Sequence, residues 1–146
     1  MGKLIALDYG KKRTGIAVTD ELQIIAAGLT TVETKELFPF LKDYFSKHQV
    51  DDIILGFPKR LNNEATHNTL PVLKVKERLE KEFPMFTVHL VDERFTSKMA
   101  KQTMIDSGLK KKQRQNKALV DEISATIILQ SYMESLNNKP LPDFKF

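Results

Sequence analysis

The first third of the chain alternates apolar runs with very short polar spacers. The segments Lys3 to Asp8, Thr14 to Thr19 and Gln23 to Thr31 are rich in aliphatic or β-branched residues, a composition typical of strands. The spacers between them are too short for the crossover connection that parallel neighbours require. The pattern therefore predicts three consecutive strands that pair in antiparallel fashion.

The middle of the chain then alternates helical spacing with further apolar runs. Large side chains recur every three to four positions in two stretches, marked by Leu37, Leu41, Tyr44, Phe45 and His48 in the first and by Val72, Val75, Leu79 and Phe83 in the second. Each stretch is followed by an apolar run that predicts a strand, Val50 to Gly56 and Phe86 to Val91. Pro39 fits the first turn of the first helix, and Pro71 should lie in the first turn of the second helix or kink it.

Two more helices are predicted after the last strand. Thr96 or Ser97 can cap the first of them, which Gly108 stops, and the second runs from about Asn116 to Leu136. Strand–helix–strand crossovers imply parallel pairing, so the sheet should be mixed, with three antiparallel strands, then two parallel ones, and helices covering its faces. We expect an α/β sandwich that forms a single domain over residues 1–136, followed by a C-terminal tail over residues 137–146.

Composition narrows the class of protein. A chain of 146 residues with 41% hydrophobic residues fits one domain with a real core. The longest stretches without a charged residue, Leu22 to Val32 and Ile123 to Met133, have 11 residues each, whereas a membrane-spanning helix needs roughly 20. The first apolar run is too short for a signal peptide. We therefore expect a soluble, cytoplasmic protein without membrane contact, and the lack of cysteine excludes disulfides and zinc–thiolate sites.

The formal net charge is only +4, but the positive charges are unevenly distributed. Residues 98–117 carry seven basic residues against one acid, a local charge of +6. A localised basic face favours binding to a nucleic acid, because each phosphate that it neutralises releases counterions. A solvated loop rich in lysines would have the same composition. The basic residues at the end of this segment are Lys110, Lys111, Lys112, Arg114 and Lys117.

Three acidic residues are predicted to reach one edge of the sheet. Asp8 ends the first strand and Glu93 follows the last one, and open α/β sheets bind their ligands outside such strand ends. Asp121 lies near the start of the last helix, on a face that should pack against the sheet. Its companions one and two turns further on are small or apolar, namely Ser124, Ala125 and Ile128. Each acid alone also fits a simpler structural role, in a turn, an ion pair or a helix dipole.

Three neighbouring carboxylates would raise one another's pKa unless a cation lay between them. Carboxylate oxygens, without cysteine or paired histidine, suit Mg²⁺ or Mn²⁺, and such ions support phosphodiester hydrolysis. Beside Asp8, the basic turn Lys11, Lys12 and Arg13 lies between Gly10 and Gly15, where backbone amides and cations could meet a phosphate backbone. An ordinary hairpin with a charged tip would show the same residues.

Taken together, these segments resemble the YqgF (RuvX-type) family, known as pre-16S rRNA nucleases and as Holliday junction resolvases. Four motifs carry the resemblance: D-Y-G-K-K-R-T-G-I-A-V-T-D (Asp8 to Asp20), G-F-P (Gly56 to Pro58), D-E-R-F-T-S (Asp92 to Ser97) and K-A-L-V-D-E-I-S-A-T-I-I-L (Lys117 to Leu129). The resemblance implies a ribonuclease-H-like three-layer sandwich. It also implies that Asp8, Glu93 and Asp121 form an acidic catalytic triad that holds metal, with Arg13 and Arg94 beside it.

Two positions depart from the family pattern. Asn63 stands where the family usually has glycine, and Ser124 stands where it usually has alanine. Asparagine tolerates positive φ, and serine is almost as small as alanine, so both changes should preserve the local structure. Neither departure falls on an acidic residue of the predicted triad.

The leading hypothesis is a metal-dependent endonuclease that acts on structured RNA, with the precursor of 16S ribosomal RNA as its substrate. In this hypothesis Arg13 and Arg94 steady the scissile phosphate, and the basic turn and the basic run bind the backbone. One alternative is resolution of four-way DNA junctions, which requires a dimer; the sequence leaves monomer and homodimer open. Others are a non-catalytic nucleic-acid-binding protein that affects transcription and, ranked last, a nucleotide phosphotransferase, since such enzymes close two lobes over the nucleotide.

Overall fold

The computed structural model describes residues 2–57, 69–92, 105, 108 and 116–137, and its strands form a mixed sheet in the order β3-β2-β1-β4-β5. The strands are β1 (Lys3–Tyr9), β2 (Arg13–Thr19), β3 (Ala26–Glu33), β4 (Val50–Phe57) and β5 (Thr87–Asp92). The helices are α1 (Leu37–Lys47), which follows a 3₁₀ turn (Thr34–Glu36), α2 (Thr69–Glu82) and α3 (Lys117–Asn137). β2 pairs in antiparallel fashion with β1 and β3, while β4 runs parallel to β1 and β5. The predicted mixed α/β architecture is confirmed.

The start of the third strand was predicted wrongly. Gln23, Ile24 and Ile25 do not belong to β3, which begins at Ala26 and runs on to Glu33. The Oδ1 atom of Asp20 accepts hydrogen bonds from the N–H groups of Ile24 and Ile25, each at 2.8 Å, and Gln23 adopts a positive φ of 57°. The bonds from Ile25 and Ile24 hold the pKa of Asp20 below its usual value. This local loop outcompetes the strand that the apolar residues suggested.

The sheet separates two apolar cores. Ile5 and Leu7 of β1 face α1 and α2, together with Ile53 and Leu55 of β4. Leu4 and Ala6 of β1 face the other way and pack against α3. Because side chains alternate along a strand, the next even-numbered residue of β1 also lies on the α3 face.

Helix α3 crosses the sheet at very short range. Ser124, Ala125 and Ile128 are at most 1% exposed, so the helix face predicted to pack on the sheet does so. A Cβ atom added to Gly15 of β2 would overlap the carbonyl oxygen of Asp121. Glycine at this position therefore sets the distance between α3 and the sheet. The buried hydroxyl of Ser124 has no hydrogen-bond partner among the described residues.

Several predictions concern parts of the chain outside the described residues. These are the polar loop after β4, most of the helix between Ser97 and Gly108, and the C-terminal tail from residue 138 onward. Gly108 itself has a positive φ of 76° and donates its N–H to the carbonyl of Ile105, consistent with a helix stop. Among the described helices, none combines the length and the apolar character needed to cross a bilayer.

Candidate active site

Asp8 lies at the carboxyl end of β1, on the sheet face that α3 covers. It is paired in register with Gly15 of β2, which is the residue that touches the backbone of α3. Position 15 requires glycine, because a side chain there would collide with the backbone of α3 and displace the helix. Asp8 is therefore the cross-strand neighbour of the residue that contacts α3.

Asp121 lies in the second turn of α3, and its backbone carbonyl is the group that Gly15 contacts. Its Oδ2 atom accepts a hydrogen bond from Nε of Arg13, at 3.1 Å, and Arg13 is the first residue of β2. The side chain of Asp121 is 25% exposed and that of Arg13 is 37% exposed, so the pair lies at the rim of the sheet. Asp8 and Asp121, 113 positions apart in the sequence, are thus brought to one edge and one face.

The third predicted acid, Glu93, lies outside the described residues, and so does Arg94. The strand before them is described: β5 ends at Asp92, which is paired with Phe57 at the carboxyl end of β4. Within the described ranges, no group of three or more histidine or carboxylate side chains is placed to hold a metal ion. The structure therefore brings together two of the three predicted acids.

The basic turn between β1 and β2 is held in place by threonines that the sequence analysis missed. The hydroxyl of Thr34 donates to the carbonyl of Gly10 at 2.5 Å, and its backbone N–H donates to the carbonyl of Lys12 at 2.9 Å. The buried hydroxyl of Thr14 lies 3.0 Å from that of Thr34. Lys11 and Lys12 remain exposed at the tip of this braced turn. Thr34 directly follows β3 only in the structure, because the predicted strand ended at Thr31, and its partners could not be read from the sequence.

Among the other predicted nucleic-acid contacts, Lys117 is exposed at the first residue of α3. This end of the helix is fixed to β3, because the hydroxyl of Thr31 donates to the carbonyl of Ala118 at 2.6 Å. Lys110, Lys111, Lys112 and Arg114 lie outside the described residues. The described cations of the predicted interface are therefore the basic turn and the start of α3.

Replacing Arg13 by glutamine tests whether this side chain serves the fold or the site. The ion pair is partly exposed, and such pairs contribute about 0.2 to 1 kcal/mol, so we expect the free energy of unfolding to fall by less than about 1 kcal/mol. If Arg13 orients Asp121 and meets a phosphate, the rate of nucleic-acid cleavage should fall at least about tenfold. Urea unfolding and a cleavage assay measure the two effects. A stability loss that accounts for the whole loss of activity would contradict this assignment.

The mixed five-stranded sheet with its flanking helices defines the class of fold, which is ribonuclease-H-like α/β. The RuvC protein of Thermus thermophilus, solved in complex with a Holliday junction substrate, superposes with a TM-score of 0.55 over 93% of this chain and 96% of RuvC. The two sequences are only 14% identical, so the likeness concerns the fold.

Sequence comparison is more specific. The model of the RuvX family, described as Holliday junction resolvase, matches residues 2–135, and the chain belongs to this family. A Flavobacterium psychrophilum protein named "Putative pre-16S rRNA nuclease" is 58% identical over 133 residues, which cover 91% of this chain and 97% of the relative. A Bacteroides thetaiotaomicron protein of the same name is 58% identical over 135 residues, covering 92% of this chain and 98% of the relative.

Proposed function

We propose that the protein is a metal-dependent endonuclease that cleaves phosphodiester bonds in structured RNA, and that its substrate is the precursor of 16S ribosomal RNA. The observation that carries the proposal is that Asp8 is paired with Gly15, the residue that contacts the backbone of Asp121, and that Arg13 binds the Asp121 side chain. The names of the 58% identical relatives support the choice of RNA as substrate.

The donor set at this edge fits a hard divalent cation. Asp8 and Asp121 supply carboxylate oxygens, and the chain has no cysteine to favour a softer metal. Arg13 binds one oxygen of Asp121, Oδ2, and a carboxylate can use its second oxygen for another ligand. In the proposal Asp8, Glu93 and Asp121 hold Mg²⁺ or Mn²⁺. When bound, such an ion activates water for attack and stabilises the departing oxygen of the phosphodiester.

The remaining residues bind and orient the substrate. Arg13 has five N–H donors, and its contact with Asp121 uses only Nε, so the guanidinium can donate to a phosphate while it fixes the carboxylate. Lys11 and Lys12, on the turn braced by Thr34, neutralise the phosphates on one side of the scissile bond. Lys117 extends this positive surface to the start of α3, and Arg94 and the basic run from Lys110 to Arg114 are proposed to continue it.

A four-way DNA junction is the second candidate substrate, because the RuvX family is described as Holliday junction resolvase. The same acids and cations would serve a four-way DNA junction, because phosphate contacts do not distinguish the two polymers. Resolution of a junction requires two matched cuts and hence two active sites. A protein that only binds nucleic acid would need neither the acids nor the metal.

A cleavage assay that offers both substrates tests the proposal. Purified protein is incubated with an extended 16S ribosomal RNA precursor or with a four-way DNA junction, in Mg²⁺, in Mn²⁺ or with a chelator. We expect metal-dependent cleavage of the RNA precursor at discrete sites and none of either substrate with the chelator. Cleavage of the junction alone would establish the second substrate. Binding without cleavage in any metal would contradict an enzymatic role.

A further inference from the structure

A pocket of about 360 Å³ opens between the first turn of α1 and the first three turns of α2, on the sheet face opposite α3. Its apolar wall includes two aromatic rings, and two cations stand at its side. The residues that matter here are Tyr9, Phe38, Pro71, Val75, Lys74 and Arg78. We refer to it as the α1–α2 pocket. A volume near the lower end of the range for ligand sites suits a single small ring system with its substituent.

The α1–α2 pocket lies next to the proposed catalytic edge. Tyr9 ends β1 and directly follows Asp8, so the Cα atoms of the two residues are about 3.8 Å apart. Because side chains alternate along the strand, Tyr9 faces the α1–α2 side while Asp8 faces α3. Both helices that form the pocket start at the carboxyl edge of the sheet, where α/β folds bind ligands. A polynucleotide lying across this edge would meet Asp8 and the pocket at neighbouring positions.

The cations differ in how firmly they are held. The guanidinium carbon of Arg78 lies 3.7 Å from the ring centroid of Phe38, and the same side chain is ion-paired with Glu82 on the next turn of α2. Arg78 therefore covers Phe38 and contributes little net charge. Lys74 makes no ion pair with any described residue, and it is exposed at the pocket rim. Among the described residues, the pocket thus joins an apolar surface to one positive charge, that of Lys74, which has no acidic partner there.

We propose that the α1–α2 pocket binds one unpaired nucleotide of the RNA, adjacent to the scissile phosphate. Stacking on an aromatic side chain is the usual way in which proteins hold an unpaired base, and it tolerates any base. In this proposal the base packs against Tyr9 and the apolar wall, and the ammonium group of Lys74 binds a neighbouring phosphate. The inference rests on the proposed nuclease function and adds a substrate requirement: cleavage next to an unpaired nucleotide.

The test uses mononucleotides and the whole protein without divalent metal, so that it does not depend on catalysis. ¹⁵N NMR spectra are recorded during titration with adenosine 5′-monophosphate, ribose 5-phosphate or inorganic phosphate. We expect the adenosine nucleotide to shift the amide signals of Tyr9, Lys74 and Arg78, and the two base-free probes to leave them largely unchanged. Lys74→Gln should weaken this binding about three- to tenfold, within the range of a single charge contact.

The matched control is Lys81→Gln, the same charge change on the last turn of α2 and outside the pocket, which should leave the titration unchanged. Equal shifts with ribose 5-phosphate, or no shift at these amides at millimolar adenosine nucleotide, would overturn the proposed nucleotide site. Those results would leave the nuclease proposal standing if the RNA precursor is cleaved. Conversely, pocket binding by the nucleotide without any RNA cleavage would refute the nuclease and retain the site.

Discussion

Replacing Gly15 by alanine is expected to lower the free energy of unfolding by about 3 kcal/mol, the upper part of the usual range for overpacking. The added methyl group would overlap the carbonyl oxygen of Asp121, and the overlap involves backbone, which cannot rotate away as a side chain can. Helix α3 must therefore shift away from β2. Because this shift moves Asp121 itself, the proposed carboxylate site should open. We therefore expect the rate of cleavage to fall as well as the free energy of unfolding. Urea denaturation of the variant measures the first effect directly.

Gly28→Ala provides the matched control for this prediction. Gly28 lies in β3, under the same helix, and a Cβ atom there would meet the side chain of Glu122 at 2.5 Å from Oε1. The overlap also includes Cγ of Glu122, at 2.6 Å, which moves only with the first side-chain torsion, so we expect a loss of about 1 kcal/mol, below that of Gly15→Ala. Equal losses for the two variants would show that α3 is not held at Gly15 in the manner described.

Asp8→Asn is expected to reduce cleavage of the RNA precursor at least about a thousand-fold, the scale on which removal of one catalytic group acts. The amide keeps the size and shape of the carboxylate but removes the negative charge that the proposed metal requires. The free energy of unfolding should change by less than about 1 kcal/mol, because the residue is only partly buried at the end of β1. Initial rates at saturating Mg²⁺ and urea denaturation are the two measurements.

Asp43→Asn is the control for the charge change. Asp43 lies on the exposed face of α1, where it pairs with Lys47, and it has no part in the proposed site. We expect unchanged cleavage for this variant. Cleavage by Asp8→Asn at the rate of the unaltered protein would refute the catalytic role given to Asp8.

Much of the fold could be predicted because it depends on local pattern. The apolar run of β1 and the helical spacing in α1 and α2 depend on residues close in sequence, and the structure confirms both. The start of β3 was predicted wrongly because two backbone N–H groups bind the Asp20 carboxylate, a competition that hydrophobic pattern cannot register. The small, apolar face of α3 did predict that Asp121 would be held against the sheet.

The parts of the site that escaped prediction depend on tertiary geometry. The role of Thr34 requires knowing that the end of β3 lies beside the β1–β2 turn, and that follows from strand order and register. The overlap at Gly15 depends on the path of α3 across the sheet. The α1–α2 pocket combines residues from β1, α1 and α2, and no segment taken alone indicates it.

Whether one metal ion binds beside all three acids can be measured by NMR. Mn²⁺ broadens the NMR signals of nuclei near it, so a titration of ¹⁵N-labelled protein with substoichiometric Mn²⁺ maps its position. We predict that the amide signals of Asp8, Glu93 and Asp121 broaden together, while that of Asp43 stays sharp, and that Asp8→Asn removes the effect. Broadening confined to one of the three acids, or centred elsewhere in the protein, would contradict the account.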